Sequence, residues 1–360
     1  MGKNTLLDHA WLFYVLVVGV PLLALLMILC VFPRRRFIKS LKKKHVFITG
    51  GSSGIGLGIA HKALEQGAYV TIISRSASNL ASAVDLLLDK VPSATADRIR
   101  CEVADVADYE ALSVSIERAF AWRPIDVLVC NAGLTRGGYL GDCMLQDLQI
   151  TMQTNFIGTV HTLHAALPLL KRYSSSNPVS IVITASLASM FLMYGHAVYT
   201  ATKYAMRGLA EGLRFELIPY QIRVSVICPG FTSTPFLDEA DKDADVRELL
   251  QWVDLYNRRW AESTNWVASH VIAAIKSGTF LVTTNPLGLV MATLSRGFVP
   301  ADSFLRVIFE LFFYVPFRLA SLIYIPLVRL IVRHKTNTWI RKSTLCPMES
   351  SPEKHDESTS

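Results

Sequence analysis

At 360 residues, with 51% hydrophobic and 18% charged side chains and a positive mean hydropathy, the chain can bury one large core or two small ones. That balance argues against a purely soluble enzyme. The net charge of +7 equals the seven cations of "PRRRFIKSLKKK", 33 to 44 (Arg34, Arg35, Arg36, Lys39, Lys42, Lys43, Lys44), so the rest of the chain is near neutral; this argues against a nucleic-acid partner and for a basic segment drawn to anionic lipid.

Residues 1–10 precede "WLFYVLVVGVPLLALLMILCVF", 11 to 32, which carries no charge and is long enough to cross a hydrocarbon core of about 30 Å. A secretory signal would be shorter, would end at a small-residue cleavage site and would have its cations in front. The expectation is a transmembrane anchor followed by a basic juxtamembrane linker, 33–44. Cations stay on the cytoplasmic side, so 1–10 would be lumenal and everything after Arg34 cytosolic.

From His45 the pattern becomes short apolar runs alternating with helical segments: "HVFIT", "AYVTIIS", "RIRCEV", "IDVLVC", "SIVITAS" and "IRVSVIC". The runs lack strict alternation, as strands covered on both faces should. Strand then helix, six times over, predicts an α/β doubly wound parallel sheet with helices on both sides. A helix from about Ser263 to Ser277 and a seventh strand in "TFLVTT" would complete a domain over 45–283, with 231–262 as a substrate loop or lid. Residues 284–347 are apolar and read as membrane-associated. Within them 304–332 carries Arg306, Glu310, Arg318 and Arg329, and its longest charge-free run, Leu319 to Val328, is too short for a plain span; an interfacial or re-entrant element is expected. The polar tail, 348–360, is expected to be disordered.

Cys30, Cys101, Cys130, Cys143, Cys228 and Cys346 show no C-x-x-C spacing. With three of them in or beside apolar strand runs, they read as buried reduced thiols of a cytosol-facing domain. His161 and His164 have helical metal spacing but no acidic or cysteine neighbour, which favours packing over a metal site.

The first strand runs into "TGGSSGIG", where Gly50, Ser52, Ser53, Gly54, Ile55 and Gly56 form a glycine turn before a helix. Such a turn lets the backbone approach a pyrophosphate while the helix N-terminus offers unpaired N–H groups. At the end of the second strand no acidic residue awaits a ribose 2′-hydroxyl. Ser74 and Arg75 stand there instead and suit a 2′-phosphate, hence NADPH. A Tyr-x-x-x-Lys pair such as Tyr199 and Lys203 is expected by accident about half the time in a chain of this composition, so its meaning depends on its neighbours. Tyr199, Lys203, Met206, Ala210, Leu213 and Leu217 recur every three or four residues, placing the pair at the head of an apolar helical stripe.

Taken in order, the glycine turn, "ADV" after the third strand, "CNAG" after the fourth, Asn155, Ser186 and "YTATK" resemble the short-chain dehydrogenase/reductase family over about 45 to 235. The resemblance implies a Rossmann-type fold and assigns roles. Asp105 would contact the adenine with Val106 beside it, and Asn131, Ala132 and Gly133 would line the cofactor. Asn155, Ser186, Tyr199 and Lys203 would form the catalytic tetrad. A hydride to a carbonyl carbon requires a proton on the oxygen, which Tyr199 would give. Lys203, one turn on, would lower the phenol's pKa and hold the nicotinamide ribose. Ser186 would hydrogen-bond the carbonyl oxygen, and Asn155 would hold a water connecting Lys203 to solvent. "CPGFTSTPF" opens the substrate loop: Pro229 and Gly230 turn the chain, and Thr232 and Thr234 offer hydroxyls to the cofactor, Thr234 matching the family position more closely.

Within the family, the anchor, "RGLAEGLRFEL", "PGFTSTPF" and the apolar C-terminal region are similar to members that reduce a long-chain keto amine lipid at the endoplasmic reticulum membrane. An ammonium on such a substrate gives the acidic loop Asp238, Glu239, Asp241, Asp243 and Asp245 a candidate ligand, although a solvated lid explains the same charges. A retinoid or hydroxysteroid dehydrogenase would carry the same tetrad and anchor. A non-catalytic nucleotide- or lipid-binding scaffold would be expected to have lost a tetrad member, and all four are present. The family often assembles through the helices after its fourth and fifth strands, which leaves a homo-oligomer open.

Overall fold

The structure, a computed structural model, describes residues 37–136, 138–191, 193–236, 261–297 and 304–345, together with 18–19. Apart from that pair, the anchor expected over 11–32 lies outside the described residues, as do the acidic loop 238–245 and the tail 348–360.

Each apolar run becomes a strand: β1 (His45–Thr49), β2 (Tyr69–Ser74), β3 (Ile99–Val103), β4 (Val127–Cys130), β5 (Val179–Thr184), β6 (Ile222–Cys228) and β7 (Leu281–Thr283). They form one parallel sheet in the order β3-β2-β1-β4-β5-β6-β7. Helices α1 (Gly54–Glu65), α2 (Ala77–Lys90), α3 (Tyr109–Trp122), α4 (Leu145–Met152), α5 (Gly158–Tyr173), α6 (Ala197–Glu216), α7 (Thr264–Ser277) and α8 (Pro286–Ser295) follow in chain order. The absence of alternation has its cause in the two cores. Within β1, Phe47 enters the core under α3, α5 and α6, while its neighbours Val46 and Ile48 enter the one under α1, α2 and α7. Each such aliphatic or aromatic side chain contributes roughly 1.5–3 kcal/mol by leaving water.

Helix starts are marked chemically. Ser76, Asp108 and Ser263 accept hydrogen bonds from the N–H groups of Asn79, Ala111 and Trp266 at the heads of α2, α3 and α7. Each cap stabilises its helix by about 1 kcal/mol. His161 and His164 pack edge-on around Tyr109, and the Tyr109 hydroxyl lies 2.8 Å from His164 Nδ1.

One expectation gains detail and one needs correction. The described part of the basic linker, 37–44, packs on the domain: Ile38 and Leu41, hidden among the cations, are buried, and the Phe37 N–H donates to the Lys276 carbonyl. Lys44 is ion-paired with Asp126 at 2.7 Å. Cys101 is exposed, whereas Cys130 and Cys228 are buried; β3 is the sheet's edge, and only Glu102 of that strand is fully covered.

Beyond α8, residues 304–345 form one helix, α9 (Phe304–Leu345), containing Pro316 and Pro326. It lacks the broken course of a re-entrant element. Its stretch Arg306–His334, of mean hydropathy 1.8, is long and apolar enough to cross a membrane by length and composition.

Candidate active site

The strand order reverses between β1 and β4, so the crevice at their carboxyl ends is where a doubly wound sheet takes a ligand. The turn after β1 is built for close approach. Gly50 has φ +65°, and a Cβ there would lie 2.9 Å from Ala132 Cα; at Gly56 it would lie 2.2 Å from the Gly50 carbonyl oxygen. Ser53 caps α1 in extended backbone without a side-chain cap bond, leaving the helix's first N–H groups for an anion. Asn131 ties β4 to this turn: its Nδ2 donates to the carbonyls of Thr49 and Gly50 at 3.3 Å each, and its N–H donates to Thr49 Oγ1 at 3.0 Å. A glycine cradle at a helix start fits a dinucleotide's pyrophosphate.

Arg75 and Asp105 meet at the outer end of the crevice, their charged groups 3.7 Å apart, with the Arg75 side chain 64% exposed. Asp105 Oδ1 also accepts from the Ala107 N–H at 2.9 Å. Val106 is buried against the start of α5: a Cβ at Gly158 would sit 2.6 Å from Val106 Cγ2.

Tyr199 and Lys203 stand on the first turns of α6, and every apolar member of the expected stripe below them is buried. Burial dominates the electrostatics of both. It pushes the Tyr199 phenol up to about 12, opposed by the Ser186 hydroxyl, and pulls the Lys203 ammonium down to about 8. The direction at the phenol is therefore upward, set by burial, where the sequence reading expected a lowering by the ammonium. Lys203 Nζ lies 5.5 Å from the Tyr199 ring centre and donates to the Thr184 carbonyl at 3.1 Å. Ser186 follows β5, and its Oγ accepts from the Ala188 N–H at 3.1 Å.

Asn155 sits fully buried in a π-helical turn, Gln153–Ile157, between α4 and α5. Its Oδ1 accepts from the Leu134 N–H at 2.7 Å; its Nδ2 donates to the Leu134 carbonyl at 2.9 Å and to Thr202 Oγ1 at 3.1 Å. Thr202 in turn donates to the Tyr199 carbonyl at 2.7 Å. Both amide hydrogens are thus spent on protein partners, and the side chain tethers the loop after β4 to the helix bearing Tyr199.

A cavity of about 260 Å³ brings together Gly50, Ser53, Gly54, Ile55, Asn131, Ala132, Gly133, Ser186, Tyr199, Lys203, Pro229, Gly230, Thr232 and Thr234. Ser52, Gly56, Arg75, Asp105, Val106 and Asn155 lie outside its lining. Thr234 leans over the glycine turn, where a Cβ on Gly54 would come within 3.2 Å of its methyl. The two ends of the substrate loop meet there: Thr232 bridges Glu262, and the Ser233 N–H donates to the Glu262 carbonyl at 2.9 Å. The loop's middle, 237–260, lies outside the described residues.

The sequence reading missed Thr49, whose single hydroxyl accepts from the N–H groups of both Asn131 and Ala132, and Thr202 inside the "YTATK" motif. It also missed the apolar wall of Phe191, Met193, Phe231, Phe236 and Leu287. Phe236 lies against Tyr199, ring centres 5.7 Å apart. Chemically, the arrangement can hold a dinucleotide along the crevice and present a protonated phenol and a hydroxyl to a carbonyl with an apolar body.

Residues 44–245 match the family described as short chain dehydrogenase. The chain is 34% identical over 316 residues, 87% of its own length and 91% of the relative's, to 3-dehydrosphinganine reductase TSC10B of Arabidopsis thaliana. It is 35% identical over 285 residues, 79% and 84% of the two lengths, to 3-dehydrosphinganine reductase TSC10A of the same plant. A solved short chain dehydrogenase/reductase from Burkholderia phymatum, in complex with NAD, superposes with a TM-score of 0.62 at 23% identity, covering 71% of this chain and 94% of that one.

Proposed function

From the premise that the chain belongs to the short-chain dehydrogenase family, we propose that it uses NADPH to reduce 3-ketodihydrosphingosine to dihydrosphingosine, a step of sphingolipid synthesis. The observation that carries this reading is the extent of the likeness. The chain matches the two plant 3-dehydrosphinganine reductases at 34% and 35% identity over 316 and 285 residues, whereas the family model matches residues 44–245.

Reduced nicotinamide, when bound, supplies the hydride for the ketone carbon. The chain's residues manage the proton and the orientation. Tyr199, protonated because burial holds its phenol near 12, gives its proton to the carbonyl oxygen as that oxygen gains the electron pair of the C=O bond. Ser186 donates a hydrogen bond to the same oxygen. Lys203, at one helical turn, stabilises the phenolate left behind, and Asn155 holds Leu134 and Thr202 so that the pair keeps its place. Preference for the phosphorylated coenzyme is supported by Arg75, exposed at the end of β2 where an acidic residue would select a 2′-hydroxyl.

A lipid substrate gives the oxidoreductase a reason to sit at a membrane. The reading therefore includes an anchor over 11–32, the endoplasmic reticulum membrane as location and a cytosol-facing catalytic domain. The test is an incubation of the membrane-held protein with NADPH and 3-ketosphinganine, beside a steroid ketone and retinal. Coenzyme consumption and a dihydrosphingosine product are expected with the keto amine. Consumption with the steroid or retinal alone overturns the reading.

A further inference from the structure

Helix α9 touches the catalytic domain at two widely separated points. Near its foot, Glu310 pairs at 2.7 Å with Arg296, a buried residue directly after α8. Fourteen residues on, about 21 Å along the axis, the Tyr324 ring lies 6.2 Å from that of Phe191, which lines the catalytic cavity. The foot is itself fixed to the catalytic helix: Arg207, one turn beyond Lys203 on α6, donates to the Ser295 hydroxyl at 3.1 Å and to its carbonyl at 2.8 Å.

Burial follows the same line. From 310 to 328 the less exposed residues are Glu310, Phe317, Ser321, Tyr324 and Val328, spaced by seven, four, three and four. Such spacing traces one stripe along a helix. The opposite side, with Leu319, Ile323 and Leu330, is exposed and apolar. With Glu310 and Tyr324 both in contact with the catalytic domain, passage of those residues through a hydrocarbon core of about 30 Å would draw the cavity into the bilayer with Tyr324. An apolar outer face with a half-buried inner stripe suits a helix lying in the membrane surface.

We propose that the Tyr324 stripe of α9 forms the wall along which the substrate's alkyl chain reaches Tyr199 from the bilayer. The inference rests on the reading of the substrate as a long-chain keto amine. It gives the C-terminal helix a part in substrate recognition: Phe191 supplies the cavity side of the path, Tyr324 the membrane side, and the exposed face of α9 keeps the mouth at the level of the lipid tails. The Tyr324 hydroxyl is buried without a hydrogen-bond partner among the described residues, so the ring, not the hydroxyl, is the working part.

The experiment uses the full chain in phosphatidylcholine vesicles and measures kcat/KM for 3-keto amines of eight and eighteen carbons. Tyr324→Ala is expected to lower the value for the eighteen-carbon substrate about tenfold, as when one or two methylenes lose apolar cover, and that for the eight-carbon substrate by less than about twofold. Tyr324→Phe is expected to keep the wild-type ratio. Equal losses at both lengths, or an unchanged ratio in Tyr324→Ala, overturn the wall while leaving the proposed reaction intact. A wild-type protein that reduces neither keto amine but does reduce retinal fails the substrate reading itself.

Discussion

Asn155→Ala separates a tether from an accessory to the chemistry. The substitution removes three hydrogen bonds, two to the Leu134 backbone and one to Thr202. At about 1 kcal/mol net for each, the expected destabilisation is about 3 kcal/mol. For a domain of this size that lowers Tm by roughly 5–10 °C. The loop after β4 and the head of α6 lose their connection, so kcat should fall at least about tenfold, a loss of about 1.4 kcal/mol in transition-state stabilisation. Thermal unfolding gives the first quantity, and steady-state reduction well below the variant's own Tm gives the second. A variant with wild-type Tm refutes the tether. One that is destabilised yet retains full kcat refutes its link to Tyr199.

Tyr199→Phe, measured by turnover and by coenzyme binding, should lose about 10² to 10⁴ in kcat while binding NADPH within about twofold. In the pH profile of reductive kcat/KM, activity should hold below about pH 8 and decline as Lys203 loses its proton; Tyr199, near 12, stays protonated throughout, and Lys203→Arg should move the decline upward. Arg75→Ala should raise KM for NADPH about tenfold or more and leave KM for NADH nearly unchanged, since only the phosphate loses a charge-assisted partner; equal effects on both would contradict the assignment. His45 is buried with its pKa lowered from 6.5 to about 4, so the unfolded chain binds its proton first. Its contribution is full above pH 6.5 and is lost as pH falls toward 4, about 3 kcal/mol in all, a slope that denaturation at pH 7 and pH 5 should find flattened in His45→Gln.

How much was legible follows from the kind of signal each residue leaves. Strands covered on both faces leave continuous apolar runs, and every run quoted became a strand, including the short β7. Glycines that a Cβ would drive into backbone leave a spacing that few other constraints impose, as at Gly50 and Gly56. Thr49 and Thr202 leave almost none, because one hydroxyl in a strand or helix looks the same whether it points to solvent or orders a turn. The cavity's apolar wall was equally silent: Phe191, Phe236 and Leu287 come from three separate loops or helices, and only folding assembles them. Ile38 and Leu41 were masked by the cations around them. The balance of burial against charge at Tyr199 could not be read at all, since it depends on how completely α6 is covered.

That balance bears on the direction of the reaction. To oxidise an alcohol, the site would need a phenolate to take the hydroxyl proton, and desolvation opposes a phenolate at Tyr199. To reduce a ketone, it needs a phenol that keeps its proton until negative charge appears on the carbonyl oxygen. The same burial supplies this. Lys203, drawn down to about 8 by the same environment, still carries its proton near neutral pH, so its ammonium is in place when the phenolate forms. A phenol that keeps its proton until charge appears on the carbonyl oxygen suits the reductive step, and Phe236, with its ring 5.7 Å from that of Tyr199, keeps this side of the site apolar.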